Sequence, residues 1–141
     1  MNRELYSSLA ITQVTVAAVA TATVTSASIS NAGFDSLTVV FDIGNSGDTL
    51  SGSVLWTLSL VECATEGGAY TAVATDDVIS STGINEVVID APAEDSLAVK
   101  IGYTGSQPFV KGLATKTGTH SNGTPIGILA VQGNPNFAPV A

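Results

Sequence analysis

Leu37-Thr38-Val39-Val40-Phe41-Asp42-Ile43 runs directly into Gly44-Asn45-Ser46-Gly47-Asp48. Leu37, Val39, Phe41 and Ile43 occupy every second position, with Thr38 and Asp42 between them, which is the period of a strand with one buried face. Gly and Asn tolerate the positive φ angles of a turn, so residues 44–48 end that strand. Downstream the alternation resumes at Val54, Trp56, Leu58 and Leu60. Leu55 and Val61 make the opposite face of this second run apolar too, so it is expected to be a central strand covered on both sides. Trp56, the only tryptophan, is expected to anchor the core.

The same pattern extends upstream. Between residues 14 and 24 the even positions are Val14, Val16, Ala18, Ala20, Ala22 and Val24, and the odd positions include Thr15, Thr21 and Thr23. The alanines would suit a helix, but the density of Val and Thr favours a strand whose even face is buried. After Glu66-Gly67-Gly68 comes an irregular stretch, residues 70–83, with short apolar elements at Val73 and at Val78-Ile79. Short strands follow over 87–89, 97–103, 109–117 and 126–131, separated by turns at Ala91-Pro92, at 105–108 and at 121–125. Many short strands with no stretch of 3.6-residue periodicity predict an all-β fold: an antiparallel β-sandwich or barrel, jelly-roll-like.

At 141 residues the chain suits one domain. Residues 13–132 form that β domain, residues 1–12 an N-terminal arm, and residues 133–141 an extended C-terminal arm. Pro135 and Pro139 are expected to keep the C-terminal arm out of the ladder. Phe137 and Val140 are apolar groups on a segment too short to bury them, so a docking site is expected on the same chain, a second copy or another protein, with Phe137 anchoring a contact between subunits. The candidate partner-contacting residues are Leu5, Tyr6, Asn134, Pro135, Phe137, Pro139 and Val140.

Composition narrows the function classes. Hydrophobic residues make up 45% and charged residues 11% of the chain, well under the usual ~25% charged. Disorder, which needs low hydrophobicity and dense charge, does not fit. The net charge is −8, and Arg3, Lys100, Lys111 and Lys116 are the only cationic side chains apart from a histidine. Four scattered cations cannot neutralise a run of phosphates, so neither nucleic acid nor an anionic membrane surface is an expected partner. No apolar run approaches the ~20 residues of a membrane-spanning helix. Glu4 beside Arg3, and the polar Thr12, Gln13, Thr15 and Thr21, argue against a signal peptide.

Candidate chemical groups are sparse. His120 lies in Gly118-Thr119-His120-Ser121-Asn122-Gly123 and is expected to be a solvated loop histidine, with no catalytic partners evident. Cys63 stands alone, so no disulfide within the chain is possible, and an inert buried thiol is expected. Asp76-Asp77 and Glu94-Asp95 are expected to be solvated surface pairs. Residues 42–48 faintly echo a calcium loop, but Gly44 occupies a position that needs an oxygen ligand and the closing Glu is absent. Asn122-Gly123-Thr124 matches a glycosylation sequon, which has meaning only in a secreted eukaryotic protein. The glycines make no nucleotide-binding fingerprint. Without a convergent acid, base and nucleophile, no enzyme is expected, and no cofactor or metal.

Four stretches carry a family resemblance. Residues 33–44, Gly-Phe-Asp-Ser-Leu leading into the alternating strand and its closing Gly, resemble the "GF-x-SL" opening of a family of small tailed-phage and prophage proteins. Leu58-Ser59-Leu60-Val61-Glu62, followed by Gly67-Gly68-Ala69-Tyr70-Thr71-Ala72-Val73, is similar to that family's strand and its "G-x-x-(Y/F/W)-x-x-V" element. Ile101-Gly102-Tyr103-Thr104-Gly105 resembles its "IGY-x-G" strand, and Gly133-Asn134-Pro135-Asn136-Phe137-Ala138-Pro139-Val140 its "G-(H/N)-P-x-x-APV" terminus. The chain departs where the family has a Tyr-Val-Arg-Val strand: here Pro108-Phe109-Val110-Lys111-Gly112 stands instead, which leaves the role of that strand's exposed face open. The resemblance, running from about residue 18 onward, implies a virion structural protein, a head decoration (cement) protein on the outer surface of an icosahedral capsid. Its implied partners are the major capsid protein and further copies of itself, with a trimer suiting local three-fold positions. A neck, tail or fibre protein would share the composition. A carbohydrate-binding module would instead need Trp56, Tyr6, Tyr70 or Tyr103 exposed.

Overall fold

The computed structural model describes residues 4–140; Met1, Asn2 and Arg3 of the expected N-terminal arm, and Ala141 at the other end, lie outside the described residues. Among the described residues, eleven strands form two antiparallel sheets. In chain order they are β1 (Ala10–Ala20), β2 (Val24–Thr25), β3 (Ile29–Ser30), β4 (Phe34–Ile43), β5 (Leu55–Cys63), β6 (Thr71–Ala72), β7 (Val78–Ile79), β8 (Val87–Ile89), β9 (Leu97–Tyr103), β10 (Phe109–Thr117) and β11 (Thr124–Pro135). One sheet has the order β1-β11-β4-β9-β7. The other is centred on β10 and β5, with β2 and β3 along one side and β6 and β8 along the other. Single turns of 3-10 helix occur at Tyr6–Ser8, Thr75–Asp77 and Pro92–Glu94. The all-β, antiparallel sandwich expected from the alternation is what the chain adopts.

The two inner faces make the core. Leu37, Val39, Phe41 and Ile43 of β4 face inward together with Ile126, Ile128 and Ala130 of β11, while Trp56, Leu58 and Leu60 of β5 and Val110 and Ala114 of β10 come from the facing sheet. Trp56 is wholly buried, as its place in the alternation predicts. Gly112 lies among these residues. A Cβ there would come within 3.1 Å of both Ile128 and Val39 and 3.2 Å of Phe41, so a side chain at this position would press on the facing sheet by a few tenths of an ångström. The outward residues of β5 are half-buried rather than covered, which corrects the expectation of a strand enclosed on both sides.

Upstream the alternation misled in a specific way. The strand expected over residues 14–24 is β1, shifted to Ala10–Ala20, so residues 10–12 belong to the sheet rather than to an arm. Its register against β11 slips twice, between Gln13 and Thr15 and between Thr15 and Ala18. Each slip sets one extra residue of β1 against β11, a bulge that resets which residues face inward. Val16 is therefore 71% exposed although it shares the even positions with Val14. The chain then leaves the first sheet after Ala20, and Val24 and Thr25 pair with Ala114 and Leu113 in the other sheet. The Thr/Val/Ala alternation continues unbroken through that crossing, so periodicity alone could not locate it.

At the opposite terminus β11 continues to Pro135, which pairs with Phe34. The expectation that Pro135 stands outside the ladder is corrected here. β1 pairs no further than Gln132, so beyond that point β11 is an edge, and a missing N–H there costs no ladder bond.

Candidate functional site

The sandwich has two ends, and both gather residues of possible functional weight. At the first end lie the turn after β4, the single helical turn at Pro92–Glu94 and the loop before β11. Asp48 accepts the backbone N–H of Asn122 on Oδ1 at 3.0 Å and that of Gly123 on Oδ2 at 2.7 Å. Asn122 donates its side-chain amide to the Gly47 carbonyl at 3.0 Å. Asp95 accepts the Ser46 N–H at 2.9 Å, and Ser46 Oγ lies 2.9 Å from Thr124 Oγ1. That same Thr124 oxygen accepts Trp56 Nε1–H at 3.0 Å. Glu94 accepts the N–H groups of Asp90 and Ala91. The acidic pair Glu94-Asp95, expected to be merely solvated, therefore ties loops together.

His120 is part of this cluster, and its expected solvation is corrected: only 3% of it is exposed, and its ring lies 4.6 Å from that of Trp56. Nε2 faces two backbone oxygens, Thr117 at 3.1 Å and Leu55 at 3.3 Å, and two carbonyl acceptors assign a proton to Nε2. Nδ1 lies 3.9 Å from Asp48 Oδ2 and has no hydrogen-bond partner. The chain reaches this burial because Gly118 adopts φ +79°, and a Cβ there would collide with the Ser53 carbonyl. Asp48 is held below its ordinary 3.8, first by the Asn122 N–H and further by Gly123 and the field of His120, against the opposing effect of desolvation. No hydroxyl or thiol hydrogen-bonds the His120 ring among the described residues. The arrangement immobilises loops and presents no activated nucleophile.

The second end collects the two chain termini. Val140 donates its N–H to the Ser7 carbonyl at 3.0 Å, Ser7 donates to Glu4 Oε2 at 3.0 Å, and Asn136 donates to the Gly33 carbonyl at 2.9 Å. Leu5, Tyr6, Leu9, Ala10, Ile11 and Val140 are among the residues lining an open groove of ≈ 500 Å³. Of the seven residues singled out in the sequence, Leu5, Tyr6 and Val140 are thus brought together. Tyr6 is 88% and Phe137 89% exposed. Asn134 serves the backbone, turning the chain at φ +49°, a conformation that Asn tolerates better than most residues. Pro135 belongs to β11, and Pro139 is exposed in the tail. Gln132 fastens this end by donating Nε2–H to the Ser30 carbonyl at 2.7 Å across the two sheets.

Other candidates are placed as follows. Trp56 and Tyr103 are both buried, which removes them from any sugar-binding platform. The Tyr103 hydroxyl donates to Glu62 and accepts the Gln107 N–H; burial and then the bond to the Glu62 carboxylate raise it above the ordinary tyrosine value. Tyr70 is half-buried under Lys111, whose Nζ lies 4.2 Å from its ring centroid. Cys63 is half-buried at the end of β5 rather than enclosed. Among the described residues no three His, Cys, Asp or Glu side chains cluster as a metal site would require, and no helix is long and apolar enough to cross a membrane.

The sequence reading passes over Asn85, and it takes Ser46 and Asp48 only as part of a calcium-loop echo and Thr124 only as part of a sequon. Asn85 bonds both the N–H and the carbonyl of Leu60 at 2.8 Å, and the Val73 carbonyl at 3.0 Å, substituting for a strand beside β5. No sequence signal separates these from ordinary loop polar residues.

No protein-family model matches the chain, and no curated protein matches it significantly. Among solved structures it is similar to the crystal structure of the SPBc2 prophage-derived protein YomS, with a TM-score of 0.49 and 13% identity over 88% of this chain and 93% of that one.

Proposed function

We propose that this chain is a non-catalytic virion structural protein, a decoration protein that binds the outer face of an icosahedral phage head and stabilises it. The observation that carries this reading is the second end of the sandwich, where Tyr6 and Phe137 stand almost fully exposed on termini joined by the Val140–Ser7 hydrogen bond. Large apolar side chains held outward on an ordered scaffold favour a protein surface as ligand, and aromatics dominate the energetics of such contacts. The motif series in residues 33–44, 58–73, 101–105 and 133–140 supplies the phage context. The proposed partners are the major capsid protein and further copies of this chain, with a trimer suited to three-fold positions of the lattice.

The mechanism is mass action. A protein that binds the assembled shell and not its free subunits stabilises the shell by RT ln(1 + [L]/Kd) at each site, about 2.7 kcal/mol at a hundredfold excess over Kd. Repeated around a lattice, modest sites give a large total. The test is co-sedimentation of the purified full chain with heads assembled from the major capsid protein of the same genome, followed by heating with and without it. Saturable pelleting and a raised disruption temperature are expected. Binding to tails or necks instead of heads, or no binding to either, overturns the reading.

A further inference from the structure

We propose that strand β1 is a self-association seam, at which Ile11, Val16 and Val19 pack against the corresponding strand of a second copy of this chain. This deepens the self-association part of the reading above: Ile11 shares the groove with Tyr6, while Val16 and Val19 lie further along the strand, outside that groove. The three side chains are 65%, 71% and 62% exposed along one edge of the first sheet, and Ala17 and Ala18 between them are exposed as well. Each copy carries a net charge of −8, yet residues 5–34 contain no Asp, Glu, Lys, Arg or His. At a symmetry axis each molecule meets the same residues of its neighbour, so any charge there opposes a like charge. A strand without charge is the surface such an axis tolerates.

The other edges do not offer this. β7 has two residues and follows Asp76 and Asp77, while β6 and β8 lie near Glu66, Glu86 and Asp90. β2 and β3 are uncharged but only two residues each. A charged ligand would find nothing on β1 to pair with, which disfavours nucleic acid or an acidic peptide as its occupant. The eleven residues of β1 make an edge of roughly 36 Å at ~3.3 Å each.

The seam is made by side chains rather than by extension of the sheet. Two bulges interrupt β1, and the Val14 carbonyl accepts the Ala27 N–H at 2.9 Å, so a continuous ladder to a second copy is blocked. This limits open-ended stacking while leaving the apolar side chains available. Because the seam is uncharged and the rest of each copy is acidic, added salt screens the repulsion and strengthens association.

The experiment is analytical ultracentrifugation of the full chain at micromolar concentration across a salt series, beside Val16→Glu/Val19→Glu and the milder Ile11→Thr. Buried Trp56 fluorescence reports whether each variant is folded. The expected result is an oligomer that tightens with salt, weakened by at least about tenfold in the double variant and less in Ile11→Thr. If the double variant does not fold, Ile11→Thr and the salt series decide. A monomeric wild-type chain, or an oligomer indifferent to every folded variant, overturns the seam. A wild-type monomer whose head binding is lost in the folded double variant assigns β1 to the shell and overturns the second copy, leaving the decoration reading standing. Retained self-association without head binding supports the seam and overturns decoration.

Discussion

Where β4 runs into Gly44, the loops are held by carboxylates and amides: Asp48 on Asn122 and Gly123, Asp95 on Ser46, Thr124 between Ser46 and Trp56. At the other end, where β11 leaves the sheet at Pro135, one backbone bond from Val140 to Ser7 draws the termini together and large apolar groups stand in solvent. The first end pairs most of its polar groups internally, with His120 Nδ1 the exception. The second leaves the large side chains of Leu5, Tyr6 and Phe137 in solvent. Internal polar bonding and exposed apolar surface are thus divided between the ends of one sandwich.

The strongest way to break this comparison is at Trp56, which joins the core to the first end. Trp56→Ala removes a fully buried ring and the bond to Thr124 and is expected to cost ~3–5 kcal/mol, read as the denaturation midpoint. Thr124→Val keeps the shape but leaves Trp56 Nε1–H and Ser46 without their shared partner. A loss of about 1–3 kcal/mol is expected, and a midpoint unchanged from wild type would show that the network is not cohesive.

Asp48 sharpens the comparison through pH. Its folded-state value is depressed, so its contribution to stability is present above the unfolded value and is lost as pH falls through the folded one. Thermal midpoints measured from about pH 6 down to about pH 2 should fall at the acid end more steeply in the wild type than in Asp48→Asn. Equal slopes would remove Asp48 from the account.

The second end is expected to respond in the opposite manner. Phe137→Ser changes an 89% exposed side chain, so stability should move by no more than ~0.5 kcal/mol, while binding to heads weakens. A chain ending at Pro135 retains the last ladder pair and is expected to fold with a nearly unchanged midpoint, again with binding lost. Ending it at Gln132 would also remove paired residues of β11 and confuse the two effects.

The alternation at residues 37–43 and 54–60 was sufficient to identify strands and their inward faces, because hydrophobic burial on a pleat has a fixed period of two; over 97–103 it located the strand, but only Ile101 and Tyr103 of its apolar face are buried and Leu97 is exposed. Trp56, Phe41 and Ile101 were legible as core for the same reason. The dearth of cations and of catalytic groups was likewise a property of composition alone. The candidate site was only partly readable: apolar residues near both termini stood out, but nothing in Ser7 or Val140 announces that their backbones meet. Likewise, β1's bulges, the crossing between sheets at residues 21–23 and the burial of His120 lie beyond any one-dimensional pattern. Each depends on which distant segment arrives alongside: β11 sets the register of β1, β10 receives Val24 and Thr25, and Leu55 with Thr117 receives the imidazole. Period and composition are summed along the chain, whereas register, crossing and polar partnership are set by contacts between residues far apart in it, so the tertiary structure alone decided them.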